Sequence, residues 1–294
     1  SFGALFGMPS MTTYLESSAG VEAGGKTGLS VVFTSVFFGL ALFLAPIALI
    51  AYYAFTDKSG AFTLANLTGA LDPAYMGVLW RSVGLAFLCT VICLLLAYPA
   101  AYILSRRKNG GVLSVLFMLP MWMNFLLRTY SWMTLLENTG LVNTLLQAMG
   151  LSTVTFLYNA NAVLLGMVYN YLPFMILPIL TALQKIDHSY VEAAQDLGAS
   201  PARVFLKVIL PMSVPGIISG VTMVFMPAVT TFVISRLLGG SHFMLFGDLI
   251  EQQFLTSGNW NLGSMMSLFM MVIMLISMAI MNRFGSDTEG RGLI

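Results

Sequence analysis

Long charge-free stretches alternate with short polar ones along this chain, and the alternation is coarse. Residues 29–55 carry no charge, and a spanning helix needs only ~20 apolar residues. Further apolar stretches cover about 82–105, 112–136, 161–183, 211–235 and 262–282, the second of these interrupted by Arg128. Six membrane-spanning helices are predicted, with no period-two alternation of the kind an outer-membrane barrel shows. Asp57, Lys58, Asp72 and Pro73 make 56–75 an exposed loop, and Asn, Gly and Thr make 137–160 another. Arg106-Arg107-Lys108-Asn-Gly-Gly111 reads as a tight basic turn.

One polar-studded segment, 192–211, lies between two strongly apolar ones. Ser189 and Glu192 have the spacing of a capping box, which predicts a short helix starting at Tyr190. Gly198 supplies a C′ residue able to take positive φ and end it. Ser200-Pro201 restarts a helix, with Ser as N-cap and Pro at its first position. Val204, Phe205, Val208 and Ile209 fall on one face of that second helix. The expected product is a rigid elbow of two short helices joined at Gly198, whose apolar surface calls for a partner.

This segment resembles the E-A-A-x3-G-x9-I-x-L-P loop in the membrane subunits of bacterial ABC importers. Glu192, Ala193, Ala194, Gly198, Leu210 and Pro211 match it, and Val208 replaces the isoleucine. The resemblance implies a type I importer permease fold, all-α and integral to the membrane, with cytoplasmic coupling helices. It also implies that the loop docks into a cytoplasmic ATPase, with Glu192, Ala193, Ala194, Asp196, Gly198, Arg203 and Phe205 as the coupling residues. Beyond the loop, Tyr98-Pro-Ala-Ala-Tyr-Ile-Leu104, Leu119-Pro-Met-Trp-Met-Asn124 and Val168-Tyr-Asn-Tyr-Leu-Pro-Phe-Met-Ile-Leu-Pro178 are similar to the first of the two permease subunits of spermidine/putrescine importers. So are Phe225-Met-Pro-Ala228, Ser235-Arg-Leu-Leu-Gly-Gly240 and Asp248-Leu-Ile-Glu-Gln-Gln-Phe254. Partners implied by this family are a second homologous permease, two ATPases carrying ATP-Mg, and an extracellular or periplasmic solute-binding protein. Thiamine, ferric iron and oxyanions are the alternative substrates within the class.

Composition narrows the picture from the other side. Of 294 residues, 58% are hydrophobic and only 9% charged. A soluble domain carries roughly 25% charged residues, so membrane lipid is the expected solvent. A net charge of +1 gives no reason to expect nucleic acid. With a cytoplasmic amino end, Lys26, Arg106, Arg107, Lys108, Lys185, Arg203, Lys207, Arg283 and Arg291 lie inside. Lys58, Arg81, Arg128 and Arg236 lie at or beyond the outer edge. The positive-inside rule favours this orientation, with both ends cytoplasmic in a bacterial inner membrane. Three segments follow: an extension over 1–28 (cytoplasmic, membrane-surface or flexible), the permease domain over 29–283, and a cytoplasmic tail over 284–294.

Candidate chemistry is sparse. The chain has no H-E-x-x-H, no G-x-S-x-G, no C-x-x-C and no phosphate-binding G-x-x-x-x-G-K-[ST]. It is therefore expected to be neither an enzyme nor a metal or cofactor binder, drawing its energy from a partner. Cys89 and Cys93 read as buried thiols on one helix face. An ion-coupled secondary transporter would want intramembrane acids as relays, and the span cores contain none. Pro46, Pro99, Pro120, Pro173, Pro178, Pro215 and Pro227 sit in or near spans, and bent spans are tolerated where they line a pathway. Desolvating a polyamine calls for carboxylates or aromatic faces. Asp248 and Glu251 are the candidate acids, with Glu137 on another outer loop. Trp122, Tyr130, Trp132, Tyr169 and Tyr171 are the candidate aromatic faces. Contact with an external binding protein is the other reading of the acids, and packing or an interfacial belt that of the aromatics. Arg128 is expected to pair with Glu137 or to reach outward.

Overall fold

The computed structural model describes residues 28–107, 110–240 and 243–290. The expected extension (apart from Gly28), Lys26, Lys108 and Arg291 lie outside them. Helices α1 (Gly28–Ala54), α2 (Ala65–Ala70), α3 (Pro73–Ser105), α4 (Gly110–Trp122), α5 (Phe125–Leu136) and α6 (Leu141–Ala148) come first. They are followed by α7 (Ala160–Gln184), α8 (His188–Asp196), α9 (Pro201–Thr230), α10 (Phe246–Leu255) and α11 (Trp260–Gly290). Pro73–Ser105, Ala160–Gln184, Pro201–Thr230 and Trp260–Met281 are long and apolar enough to cross a membrane, and Leu44–Ala54 is a shorter apolar stretch.

Helix α7 is the centre, packing most extensively against α9 and α3, while α11 closes on α1 and α9. In lipid, apolar side chains gain little by leaving one apolar solvent for another, so close backbone approach has to hold helices together. The sequence supplies it with small residues. Ala86, Cys89, Cys93, Ala97 and Ala101 recur every three or four positions along α3 and are fully buried. On α9, Gly216 and Gly220 form a G-x-x-x-G pair against α7. A methyl on Gly216 would stand 2.5 Å from the Ala182 Cβ and 2.7 Å from the Pro178 carbonyl oxygen. One on Gly220 would stand 2.7 Å from the Met175 sulfur. Both cysteines are free and buried, as the sequence reading has them.

Several boundaries differ from the sequence reading, each for a local reason. Helix α3 begins at Pro73 rather than near 82, because Asp72 accepts from the Ala74 amide at 2.8 Å as N-cap with proline in the first turn. Arg81 had hidden that start by interrupting the apolar run. The stretch 112–136 is not one helix. It breaks after Trp122, and Asn124 restarts it by accepting from the Leu126 amide at 2.9 Å. The loop over 137–160 contains α6, held by Asn143, whose side chain bonds the Glu137 and Val154 carbonyls and the Val154 amide. Finally, α9 runs without a break from Pro201 to Thr230, so the second elbow helix and the following span are one helix.

The α7–α9 contact carries a prediction. Gly216→Ala should destabilise the chain by about 1–3 kcal/mol through overpacking against backbone. Gly77→Ala on α3, where a Cβ meets nothing within 4 Å, should leave it unchanged or slightly better. Thermal unfolding of the detergent-solubilised variants measures the difference, and equal midpoints would refute a glycine-dependent interface.

Candidate functional site

The elbow is built from its own backbone. Asp187, not Ser189, is the N-cap of α8, accepting from the Ser189 amide at 3.0 Å. That bond favours the ionised carboxylate and holds its pKa below the ordinary value. Asp187 displaces the expected capping box because it stands one position before the helix, where its oxygen reaches the N2 amide. Instead of closing a box, Glu192 pairs with His188 at 3.3 Å across one turn. At the other end, the Gly198 amide bonds the Gln195 carbonyl at 2.8 Å and the Ala199 amide bonds that of Ala194 at 3.0 Å. This is a Schellman closure, and Gly198 has φ +79° as it demands. Glu192, Ala193, Asp196, Gly198 and Arg203 face outward, with Ala194 half-buried. Leu197, at the tip, is 89% exposed.

Phe205 turns the other way. Its ring meets those of Tyr98 and Tyr102 edge-on, at 5.8 and 5.4 Å between centroids. Val204 and Ile209 are buried as well, so this apolar face packs within the chain, with Phe205 against α3. From Phe205 to Ile209 the helix widens into a π turn, with the Leu210 amide reaching back to the Phe205 carbonyl. Pro211 explains the widening, since it has no N–H to offer the Lys207 carbonyl and its ring crowds that oxygen. A cavity of about 450 Å³ lies beside the turn, lined by Tyr102, Arg106, Gln184, His188, Val191 and Ile209 among others.

Away from the elbow, Asp248 and Glu251 lie on one wall of a cavity of about 400 Å³, with Arg236, Gln252, Thr256 and Met244. Neither carboxylate stands free. Asp248 is buried and reaches back to accept from the Leu245 amide at 2.8 Å, capping its own helix α10. Burial raises its pKa above the ordinary carboxylate value, against the hydrogen bonds from Ser235 and Leu245. Glu251 is paired with Arg236 at 2.6 Å. The start of α10 is tied to α3 through the Phe246 amide, which donates to the Ser82 hydroxyl at 2.8 Å.

The aromatic candidates do not line that cavity. Trp132 and Tyr169 meet edge-on at 5.1 Å, Tyr171 is buried with its hydroxyl donating to the Pro227 carbonyl at 3.2 Å, and Trp122 and Tyr130 are exposed. Arg128 neither pairs with Glu137 nor reaches outward. It is only 7% exposed, donates to the Pro120 carbonyl at 2.7 Å, and sits 6.0 Å from the Tyr169 ring centre. The guanidinium thus bridges the break between α4 and α5, satisfying a carbonyl at the end of α4. Sequence reasoning missed Arg236, Tyr98, Tyr102 and Ser213 as site residues. Only the i,i+4 spacing of the two tyrosines was available as a signal; the Arg236–Glu251 pair joins two separate elements.

Residues 93–289 match the family described as binding-protein-dependent transport system inner membrane component. The chain is 37% identical to the spermidine/putrescine transport system permease protein PotB of Haemophilus influenzae, over 85% of this chain and 90% of that protein. It is 37% identical to PotB of Escherichia coli K12, over 72% of this chain and 79% of that one. Among solved structures, it is similar in fold to a chain of the bacterial alginate ABC transporter in complex with its alginate pentasaccharide-bound periplasmic protein. The TM-score there is 0.72 at 16% identity, covering 94% of this chain and 96% of that one.

Capping by Asp248 is separable from any role in transport. Asp248→Ala should cost about 1 kcal/mol of stability, whereas Asp248→Asn keeps an acceptor for the Leu245 amide and should cost little. Because the folded pKa is raised, ionising Asp248 opposes folding. Wild-type stability should therefore fall as pH rises from about 4 through the folded pKa, and Asp248→Asn should remove that slope. Thermal unfolding across this range, with Asp248→Asn alongside, reads both effects.

Proposed function

Since the chain belongs to the family of binding-protein-dependent transport system inner membrane components, we propose that it is a membrane permease subunit of an ATP-driven importer of spermidine and putrescine. The observation that carries this reading is the 37% identity to a spermidine/putrescine permease along 85% of the chain. The exposed elbow supports the ATP-driven part. It presents small Ala193 and a bare Leu197 outward on a short helix closed at both ends, which suits insertion into a groove of a cytoplasmic ATPase. On this reading α4 and α5 together make one crossing. With α1, α3, α7, α9 and α11 the chain then spans the membrane six times, as a type I permease with both ends cytoplasmic.

The partners are a second homologous permease, two ATPases that bind and hydrolyse ATP-Mg, and a solute-binding protein on the outer side. Substrate passes by alternating access. ATP-driven closure of the ATPases carries the elbow, the spans tilt with it, and the path opens outward. The chain performs no bond chemistry itself. It offers the cavity with Asp248 and Glu251, and the aromatic faces of Trp122, Tyr130, Trp132, Tyr169 and Tyr171, to a chain of ammonium groups. Arg236 keeps the cavity from being a bare acidic surface, so an ammonium entering it competes with Arg236 for Glu251.

Uptake of radiolabelled spermidine into vesicles reconstituted with the whole complex tests the assignment. ATP-dependent uptake competed by putrescine is expected; competition by thiamine but not putrescine would overturn the substrate and leave the importer class intact. In the same assay Gly198→Val should strain the elbow by ~1 kcal/mol or more, lowering uptake while the complex still inserts in the membrane. Normal uptake by a normally assembled Gly198→Val complex would remove the elbow from the mechanism.

A further inference from the structure

Between the elbow and the rest of α9 lies a loosened turn of that helix. The π turn Phe205–Ile209 is wide, and Pro211 and Pro215 deprive the Lys207 and Pro211 carbonyls of their usual partners. Left to itself, such a turn absorbs a push rather than passing it on. Yet both sides of it are tied to one residue of another helix. On the elbow side, the Phe205 ring is wedged between Tyr98 and Tyr102 of α3. On the membrane side, the Tyr98 hydroxyl and the fully buried Ser213 hydroxyl lie 2.9 Å apart. Ser213 spends its own hydrogen on the Leu210 carbonyl at 2.9 Å, so Tyr98 is the donor of that pair. Tyr98 therefore spans the soft turn from outside, with its ring against one side and its hydroxyl on the other.

We infer that Tyr98 and Ser213 are positioning residues for coupling. Their hydrogen bond braces the π turn, so that a displacement of the elbow moves α3 and α9 together and reaches the transport path. This rests on the importer reading above, and it assigns to that reading a strut that the elbow residues alone do not provide. A merely structural contact would change assembly or stability. A strut changes how much transport each ATP produces.

The test uses the complete complex in proteoliposomes, with ATP hydrolysis and spermidine uptake measured in the same vesicles. Tyr98→Phe keeps the ring against Phe205 and removes only the donor; Ser213→Ala removes the acceptor. Each should lower spermidine imported per ATP hydrolysed by about fivefold, the worth of one such hydrogen bond. Assembly with the ATPases and hydrolysis itself should persist. The double variant should be no worse than Ser213→Ala alone, because that change already removes the shared bond along with the Ser213 bond to the Leu210 carbonyl. Ser219→Ala, on the exposed side of α9 with its hydroxyl bonded only within that helix to the Pro215 carbonyl, should keep the wild-type ratio. A ratio within twofold of wild type in both single variants overturns the strut while leaving the importer intact. Loss of assembly in parallel with uptake also overturns it, as a structural contact. A wild-type complex that hydrolyses ATP but imports no spermidine overturns the spermidine-importer reading and, with it, the strut as stated.

Discussion

The structure depends on how closely α7 and α9 come together. Gly216 and Gly220 let the α9 backbone approach Met175, Pro178 and Ala182 to distances at which no other side chain fits. In a hydrocarbon solvent this is one of the few forces available, since exchanging lipid for leucine gains little. Helix α3 brings its small-residue stripe against α7 as well, with the Cys93 thiol 3.8 Å from the Val168 carbonyl, and it also packs on α9. A three-helix core thus forms from backbone contact, and large apolar side chains are left free to face outward. Trp80, Phe87 and Leu95 on α3 do so, each more than half exposed.

A chain held this way can afford broken helices, provided that each break is repaired from within. Prolines and asparagines mark the breaks, and side chains answer several of the freed backbone groups. Asn124 caps α5, and Arg128 answers the Pro120 carbonyl across the same gap. Asn159 accepts from the Ala162 amide at the start of α7. At the end of α1, the side chains of Asn66 and Asn261 both donate to the Thr56 carbonyl, which ties that helix to α2 and α11. Hydrocarbon supplies no water to do this work, so polar residues inside an apolar chain are found where the backbone needs them.

Legibility in the sequence followed the range of the interactions. The elbow was readable because its signals are local: Gly198, Ser200-Pro201 and the apolar face of Val204 to Ile209 act within one or two turns. Its capping residue was misread by a shift of two positions, since Asp187 and Ser189 are both competent caps and only the backbone chooses between them. The start of α3 was lost because Arg81 was counted against a span, although a long side chain near a helix end can reach polar surroundings. Here its guanidinium lies 5.2 Å from the Phe243 ring centre. What no local pattern could reveal was the pairing of Arg236 with Glu251, or of Tyr98 with Ser213. Those contacts are made by packing of elements far apart in the chain, and apolar stretches with little periodicity say little about which faces meet.

Charge placement adds a last constraint. A path for a polycation that contains arginines looks contradictory until each guanidinium is followed to its partner. Arg128 is spent on a helix-end carbonyl and a tyrosine face, and Arg236 on Glu251. Asp248 is spent on its own helix N-terminus, and its burial disfavours the charged form. Arg236 offsets the charge of Glu251, so the cavity between Asp248 and Glu251 is not a deep negative well. That suits transport better than tight capture: a site that held several ammonium groups by bare carboxylates would release them slowly. As proposed, an ammonium would enter such a site by exchange with Arg236, already paired with Glu251. On the proposed reading, selectivity for the polyamine then belongs largely to whatever delivers it, and the permease need only make its passage possible.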